Sequence, residues 1–201
     1  MDFAAAARDL GPVLSFRLDA MEQATVNPHN WRGPADSSLR CDLGFSPVAV
    51  VMSGVFRDDT PFYQTMTSPA RPEWWRIAYG ADGIDVLIDD PTSAARRIRF
   101  ALDAGSAATD PRVDLVSTFA GAKPGPVPSA ILEFRDSAGP GSTPGAVAFD
   151  AAIPLEALAP PEFFTRPLRI TVRLHDMDGG PSTYIMMQQT VERRSGAGTG
   201  L

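Results

Sequence analysis

Lysine is almost missing from this chain: Lys123 is the one lysine among 18 basic residues, set against 24 acids, and the formal net charge is −6. There is no basic stripe to neutralise phosphates, which argues against nucleic acid as a partner. The same acidic balance argues against anionic membrane surfaces, and no apolar run approaches the ~20 residues a membrane-crossing helix needs. Cysteine occurs once, so no intrachain disulfide can form. Cys41 alternates with Leu39 and Leu43, the pattern of a small buried hydrophobe rather than a catalytic thiol. The two histidines, His29 and His175, lie far apart in sequence, which excludes a His-rich zinc site. No phosphate-cradling G-x-x-x-x-G-K-[ST] loop, H-E-x-x-H pair or G-x-S-x-G elbow is present. Nothing marks a serine to complete a triad through His175. The opening "MDFAAAARDLGPV" has neither a basic n-region nor a long apolar stretch, so no secretory signal is visible. The expectation is a cytoplasmic protein as it stands, or an extracellular one if the chain is a domain cut from something secreted.

Turn formers, by contrast, are abundant: 19 prolines and 17 glycines in 201 residues favour many short elements over long helices. The dominant hydrophobic period is two. "LSFRLDA" (14–20) puts Leu14, Phe16 and Leu18 on one face, and "LRCDLGF" (39–45) does the same with Leu39, Cys41, Leu43 and Phe45. "VAVVMSGVF" (48–56) is apolar on both faces, as a central strand should be. Segments 84–89, 97–103, 129–136, 145–153, 168–176 and 183–191 complete a set of about nine short strands. Helix is confined to one or two turns within 2–9 and a short piece in 154–164, and "GAKPGPVPS" (121–129) reads as a surface loop. The fold class expected is all-β: an antiparallel β-sandwich, jelly-roll-like, with little helix. Residues 1–12 read as an N-terminal extension, 13–191 as the sandwich and 192–201 as a disordered tail.

The stretch "PEWWRIAYGADGIDVLIDD" (72–90) carries the chemistry of most interest. If Trp74 and Trp75 lie on a strand, one ring enters the core and the other faces outward, beside a row of carboxylates. Packing under a loop is the competing reading for the second ring. Four segments end in acids or aromatics: 53–62, 73–90, 153–158 and 173–180. Together with "WRGPAD" (31–36), the Asp58-Asp59 pair, "DGIDVLID" (82–89), "AAIPLEAL" (151–158) and "DMDG" (176–179), they follow a recognisable order. In that order and spacing the chain resembles the family 9 carbohydrate-binding modules and the wider set of DOMON-like sandwich domains, over roughly residues 13–191.

The resemblance implies a non-catalytic β-sandwich that binds a carbohydrate or other small polyol, as an accessory module to a larger glycan-active enzyme. Trp74 or Trp75 would be the stacking platform and Tyr184 a second ring. Asp58 or Asp59 together with Asp85 would accept from hydroxyls, Arg97 or Arg99 would donate, and Asp176 would reach the ligand from the late strand. The physics suits the ligand: the C–H face of a sugar lies against an indole, while each hydroxyl needs both donors and acceptors. Asp176-Met177-Asp178-Gly179 also opens like a calcium loop, although it lacks the third oxygen donor and closing Glu of one; the alternative is a D-G hairpin turn. Calcium at Asp176 and Asp178 is therefore one expectation for a metal, and Asp36 another residue that either caps a turn or helps hold calcium. Two other readings stay open. Some DOMON-like domains hold a b-type haem, for which His175 with Met52, Met66 or Met186 would be the ligands. An enzyme on the same scaffold would need two carboxylates among Asp85, Glu133, Asp150 and Glu156 to pair across a cleft.

Overall fold

The computed structural model describes residues 2–58, 83–103, 111–136, 146–176 and 185–194. Two antiparallel sheets face each other. The five-stranded sheet has the order β1 (Leu14–Leu18), β3 (Ser37–Phe45), β4 (Ala49–Asp58), β10 (Ala146–Pro154) and β9 (Ile131–Asp136). The seven-stranded sheet runs β2 (Ala24–Val26), β12 (Ile185–Arg193), β11 (Leu168–Asp176), β5 (Gly83–Asp90), β6 (Ser93–Asp103), β7 (Arg112–Thr118) and β8 (Gly125–Pro126). This is the all-β antiparallel sandwich expected from the period-two pattern.

The nine expected strands are all present, and three more join them. β2 and β8 are only three and two residues long, too short for alternation to register. β8 sits inside the proline-rich stretch expected to be loop; Gly125 is at φ 148°, open to glycine alone, and pairs with Leu115. β7 is longer and went unanticipated because its seven residues, "RVDLVST", follow a proline and contain a register shift. Arg99 faces Ser117 but Phe100 faces Leu115, which leaves Val116 as the extra residue of a bulge. Among the described residues the α-helices are as short as expected: α1 (Phe3–Ala6), capped by Asp2 Oδ1 accepting from Ala5 N at 2.6 Å, and α2 (Leu155–Leu158) after β10.

The sequence alternation becomes the core directly. Phe16, Leu18, Leu39, Cys41, Leu43, Val50, Met52, Phe149 and Ile153 point inward from the five-stranded sheet. Ile84, Val86, Ile88, Ile98, Phe100, Leu102, Ile170, Val172, Leu174 and Met187 meet them from the seven-stranded one. Full burial of each such side chain contributes on the order of 1.5–3 kcal/mol. Cys41 is buried, and burial, followed by the charge of Asp42, pushes its thiol up to about 12, so it packs as a neutral hydrophobe. Trp31 also packs against this core, with its indole N–H donating to the Ser37 carbonyl at 2.9 Å. Asp36 closes the "WRGPAD" turn by accepting from Arg32 N at 2.7 Å and Arg32 Nε at 3.1 Å.

The edges are tied down as well. The Arg17 amide of edge strand β1 donates to Gln189 Oε1 of β12 at 2.6 Å, linking the two sheets. On the outer face of the five-stranded sheet, α1 lays Ala6 over Ala49, Val51 and Ala152, with Phe3 and Ile131 beside them.

Gly54, in the middle of β4, has no room for a side chain. A Cβ there would stand 2.6 Å from both the Arg40 carbonyl oxygen and Cys41 Cβ, and 2.8 Å from the Phe149 ring. Two of these neighbours belong to packed backbone and core, so neither can yield cheaply. Gly54→Ala is expected to destabilise the protein by about 1–3 kcal/mol, read from the urea midpoint. Gly83→Ala, whose Cβ would have its nearest neighbour at 3.7 Å, should change it by less than about 0.5 kcal/mol. Equal midpoints for the two variants would show that β3 and β10 do not close on β4 as described.

Candidate functional site

Strand β5 has two unlike faces. Ile84, Val86 and Ile88 enter the core, so Asp85, Leu87 and Asp89 must stand on the other side of the sheet. Antiparallel pairing then decides what lies beside each. Asp85 is in register with Arg173 on β11 and Ala101 on β6; Leu87 with Thr171 and Arg99; Asp89 with Arg169 and Arg97. One strand further, β12 sets Gln188 beside Arg173, Thr190 beside Thr171 and Glu192 beside Arg169. The outer face of the seven-stranded sheet is therefore a lattice of guanidinium, carboxylate, amide and hydroxyl groups carried on rigid backbone.

Asp85 organises the middle of this lattice. It is only 1% exposed. Arg99 Nε donates to both of its carboxylate oxygens at 2.9 Å, and Arg99 Nη2 lies 2.7 Å from Oδ2. His175 Nε2 approaches Oδ2 to 3.4 Å, and Arg173 Nη1 stands 3.9 Å from the same oxygen. Burial by itself would raise the carboxyl's pKa. Hydrogen bonds from His175 and Arg99, with the charges of the same two groups, outweigh it and hold Asp85 below the ordinary carboxylate range. Arg173 Nε in turn donates to Gln188 Oε1 at 3.2 Å, and the Thr171 and Thr190 hydroxyls share a hydrogen bond of 2.8 Å.

Around this centre the face is built from pairs. Arg97 Nε donates to Asp89, Arg169 approaches Glu192 at 3.4 Å, and Arg112 Nε donates to Asp114 at 2.9 Å. The face is sheltered at one end, where Asp85, Ala101, Asp114 and His175 are buried, and open at the other, where Arg97, Arg169, Thr190 and Glu192 reach solvent. At the turn after β5, Asp90 Oδ1 accepts from the Thr92 amide at 2.9 Å and its hydroxyl at 2.5 Å, which fixes the hairpin into β6.

Of the residues singled out from the sequence, the structure brings Asp85 and Arg99 together and places Arg97 on the same face, one row along. Asp58 and Asp176 lie elsewhere. Asp58 closes β4 in the five-stranded sheet, opposite Ser37 and buried, on the alternation of Met52 and Phe56. Asp176 closes β11 in register with Ile185, buried, on the alternation of Leu174 and so on the opposite side of the strand from Arg173 and His175. Asp59, Trp74, Trp75, Asp178 and Tyr184 lie outside the described residues, as does Met66. Reading the sequence overlooked Arg173, Gln188 and Thr171, and considered His175 only as a haem ligand or triad member. The signal was there in "LRITVRLHD" (168–176): Arg169, Thr171, Arg173 and His175 alternate with four core residues, as Asp85 and Asp89 do on β5.

The geometry also bears on the other chemistries. Met52 is buried in the core from the five-stranded sheet, whereas His175 stands on the far side of the other sheet, so the two cannot flank one haem. Met186 is the register partner of His175 on the adjoining strand, side by side with it rather than across a pocket. Among the described residues, no group of three or more His, Cys, Asp or Glu side chains is placed to hold a metal ion. The four acids considered for catalysis are dispersed. Glu133 and Asp150 are register partners on the outside of the five-stranded sheet, where Asp150 pairs with Arg135; Asp85 is on the opposite side of the sandwich; Glu156 is exposed on α2.

No family model and no curated protein matches this chain. Solved structures that it is similar to include a family 9 carbohydrate-binding module from Caldicellulosiruptor kristjanssonii in two complexes. The complex with cellotriose shares 10% identity over 75% of this chain and 65% of that one, with a TM-score of 0.41. The complex with glucose shares 10% identity over 82% and 80%, with a TM-score of 0.44. A Bacteroides uniformis protein described as carbohydrate-binding shares 9% identity over 89% and 77%, with a TM-score of 0.47. This chain thus spans just under two thirds of the first of these structures. The two complexes carry the name of the family whose motifs the sequence resembles.

Removing the Asp85 charge should expose how much the face depends on it. Asp85→Asn leaves Arg99 and Arg173 beside a neutral amide, and is expected to cost about 3 kcal/mol in urea unfolding at neutral pH. Because the folded-state pKa of Asp85 is lowered, its stabilisation is complete above the ordinary value of 3.8 and is lost as the pH falls through the lower folded value. The gap between parent and variant should therefore shrink in acid. A variant as stable as the parent at neutral pH would show that the carboxylate does not organise the face.

Proposed function

We propose that this protein is a non-catalytic carbohydrate-binding sandwich, and that the ligand lies on the outer face of the seven-stranded sheet. The observation that carries this reading is the Asp85–Arg99–Arg173–Gln188 network. Its side chains are fixed to one another at 2.7–3.9 Å on three adjacent strands and the fourth beside them. A sugar hydroxyl both donates and accepts, and recognising several at once requires both kinds of partner held in place before the ligand arrives. This face supplies donors from Arg97, Arg99 and Arg173, acceptors from Asp89 and Gln188, and a two-way hydroxyl from Thr190, with the buried Asp85 holding Arg99 in place. Side chains already pinned by their neighbours lose little further freedom on binding. Such a surface suits recognition without turnover, since its central carboxylate is occupied by two cations and held ionised.

The stacking surface in this proposal is Trp74 or Trp75, in the segment of sequence that joins β4 to β5. An accessory role beside a larger glycan-active enzyme is the biological setting that fits a binding face without catalytic groups. The direct test is calorimetric titration with a panel of neutral and charged mono- and oligosaccharides. Saturable binding is expected, weakened about tenfold or more by Arg99→Gln and by alanine at one of the two tryptophans, with thermal unfolding of these variants still cooperative. No heat from any saccharide in the panel would end this reading.

A further inference from the structure

Charge on the polar face does not balance, and the imbalance falls on one residue. Arg97 is matched by Asp89, Arg169 by Glu192, Arg112 by Asp114, and Arg99 takes both oxygens of Asp85. Among the described residues, Arg173 has no carboxylate of its own and shares Asp85 with Arg99. It stands 3.9 Å from Asp85 Oδ2, beyond hydrogen-bonding reach, and its one side-chain hydrogen bond among the described residues goes from Nε to the neutral amide of Gln188. Its side chain is 26% exposed, and apart from the 3.9 Å approach of Nη1 to Asp85 its terminal amino groups have no acceptor among the described residues. His175, on the next outward position of β11, adds a further basic group against the same Asp85. In a chain of net charge −6, this is a local excess of positive charge among the described residues of the face.

Two guanidinium groups sharing one carboxylate repel each other, and the arrangement is relieved when a second carboxylate arrives to take the Arg173 fork. A guanidinium whose Nη1 and Nη2 make no hydrogen bond among the described residues is suited to a planar carboxylate, which it can engage through two parallel N–H···O bonds. Neutral sugar hydroxyls could be served by amides and would not require a second arginine beside Asp85. We infer that the ligand is an acidic saccharide, a uronate-containing glycan whose carboxylate binds Arg173 while its hydroxyls are read by Gln188 and Thr190 beside it. This inference rests on the sugar-binding reading above and narrows it to one substrate class.

Trigalacturonate and its methyl ester separate the two claims, because esterification removes the charge and leaves the sugar unchanged. The acid should bind about tenfold or more tightly than the ester. Its affinity should fall with added sodium chloride, while that of any neutral oligosaccharide should not. Arg173→Gln should abolish the preference for the acid, and Arg173→Lys, which keeps the charge but not the fork, should retain part of it. The melting temperature of each variant, measured alongside, establishes that it is folded. Equal binding of acid and ester, or binding of neutral oligosaccharides with no uronate bound, overturns this inference and leaves the carbohydrate reading intact. Failure of every saccharide, acidic and neutral alike, removes both. Loss of the acid preference in Arg173→Gln, with part of it kept in Arg173→Lys, is the result that establishes it.

Discussion

One buried carboxylate organises the polar side of this molecule. Asp85 sits on β5, the strand whose neighbours β6 and β11 carry complementary charge, and it draws Arg99 from one and Arg173 and His175 from the other. Taking an acid out of water is unfavourable, and in the middle of a sheet no solvent can compensate. The two oxygens are instead held by a guanidinium at 2.7–2.9 Å, which keeps the group ionised despite its burial. The same interaction serves the surface above. With Asp85 in place, Arg99 is locked in one conformation, Arg173 is held alongside, and Gln188 is oriented by Arg173.

The two sheets of the sandwich divide the labour along these lines. The five-stranded sheet is closed over at its N-terminal end by α1, and its core strands come so close that Gly54 leaves no space for a methyl group. The seven-stranded sheet shares that core through Val86, Phe100 and Val172 but leaves its other face polar. A wide, twisted antiparallel sheet with one face packed and the other solvated is a stable platform for displaying side chains in fixed register.

Much of the architecture was legible because it rests on period two. Where alternation runs for five residues or more, as in 14–18 and 39–45, the inward sets were assigned correctly. Strands without that length of pattern escaped: β2 and β8 are too short, and in β7 the bulge at Val116 interrupts the alternation just where it would have shown. The site was half legible. Asp85 between Ile84 and Val86 announced an outward acid, and Arg99 between Ile98 and Phe100 an outward base. What sequence could not supply was which strand lies next to which. Arg173 follows Asp85 by 88 positions, and only the adjacency of β11 to β5 puts them together. Asp58 and Asp176 show the converse. Both stand at strand ends where acids commonly begin turns, and both fall on the inward alternation of their strands, a matter of parity that turn chemistry does not reveal.

The parity of β5 has one more consequence, for how the chain reaches this arrangement. Sliding β5 by a single residue against β6 or β11 would turn Asp85 and Asp89 into the hydrocarbon interior and expel Ile84, Val86 and Ile88. It would also bring neither arginine row opposite an acid. Both penalties act together, so a misaligned hairpin between β5 and β6 gains almost nothing and unzips readily. The acids of the polar face thus also act as alignment marks during the assembly of the sheet.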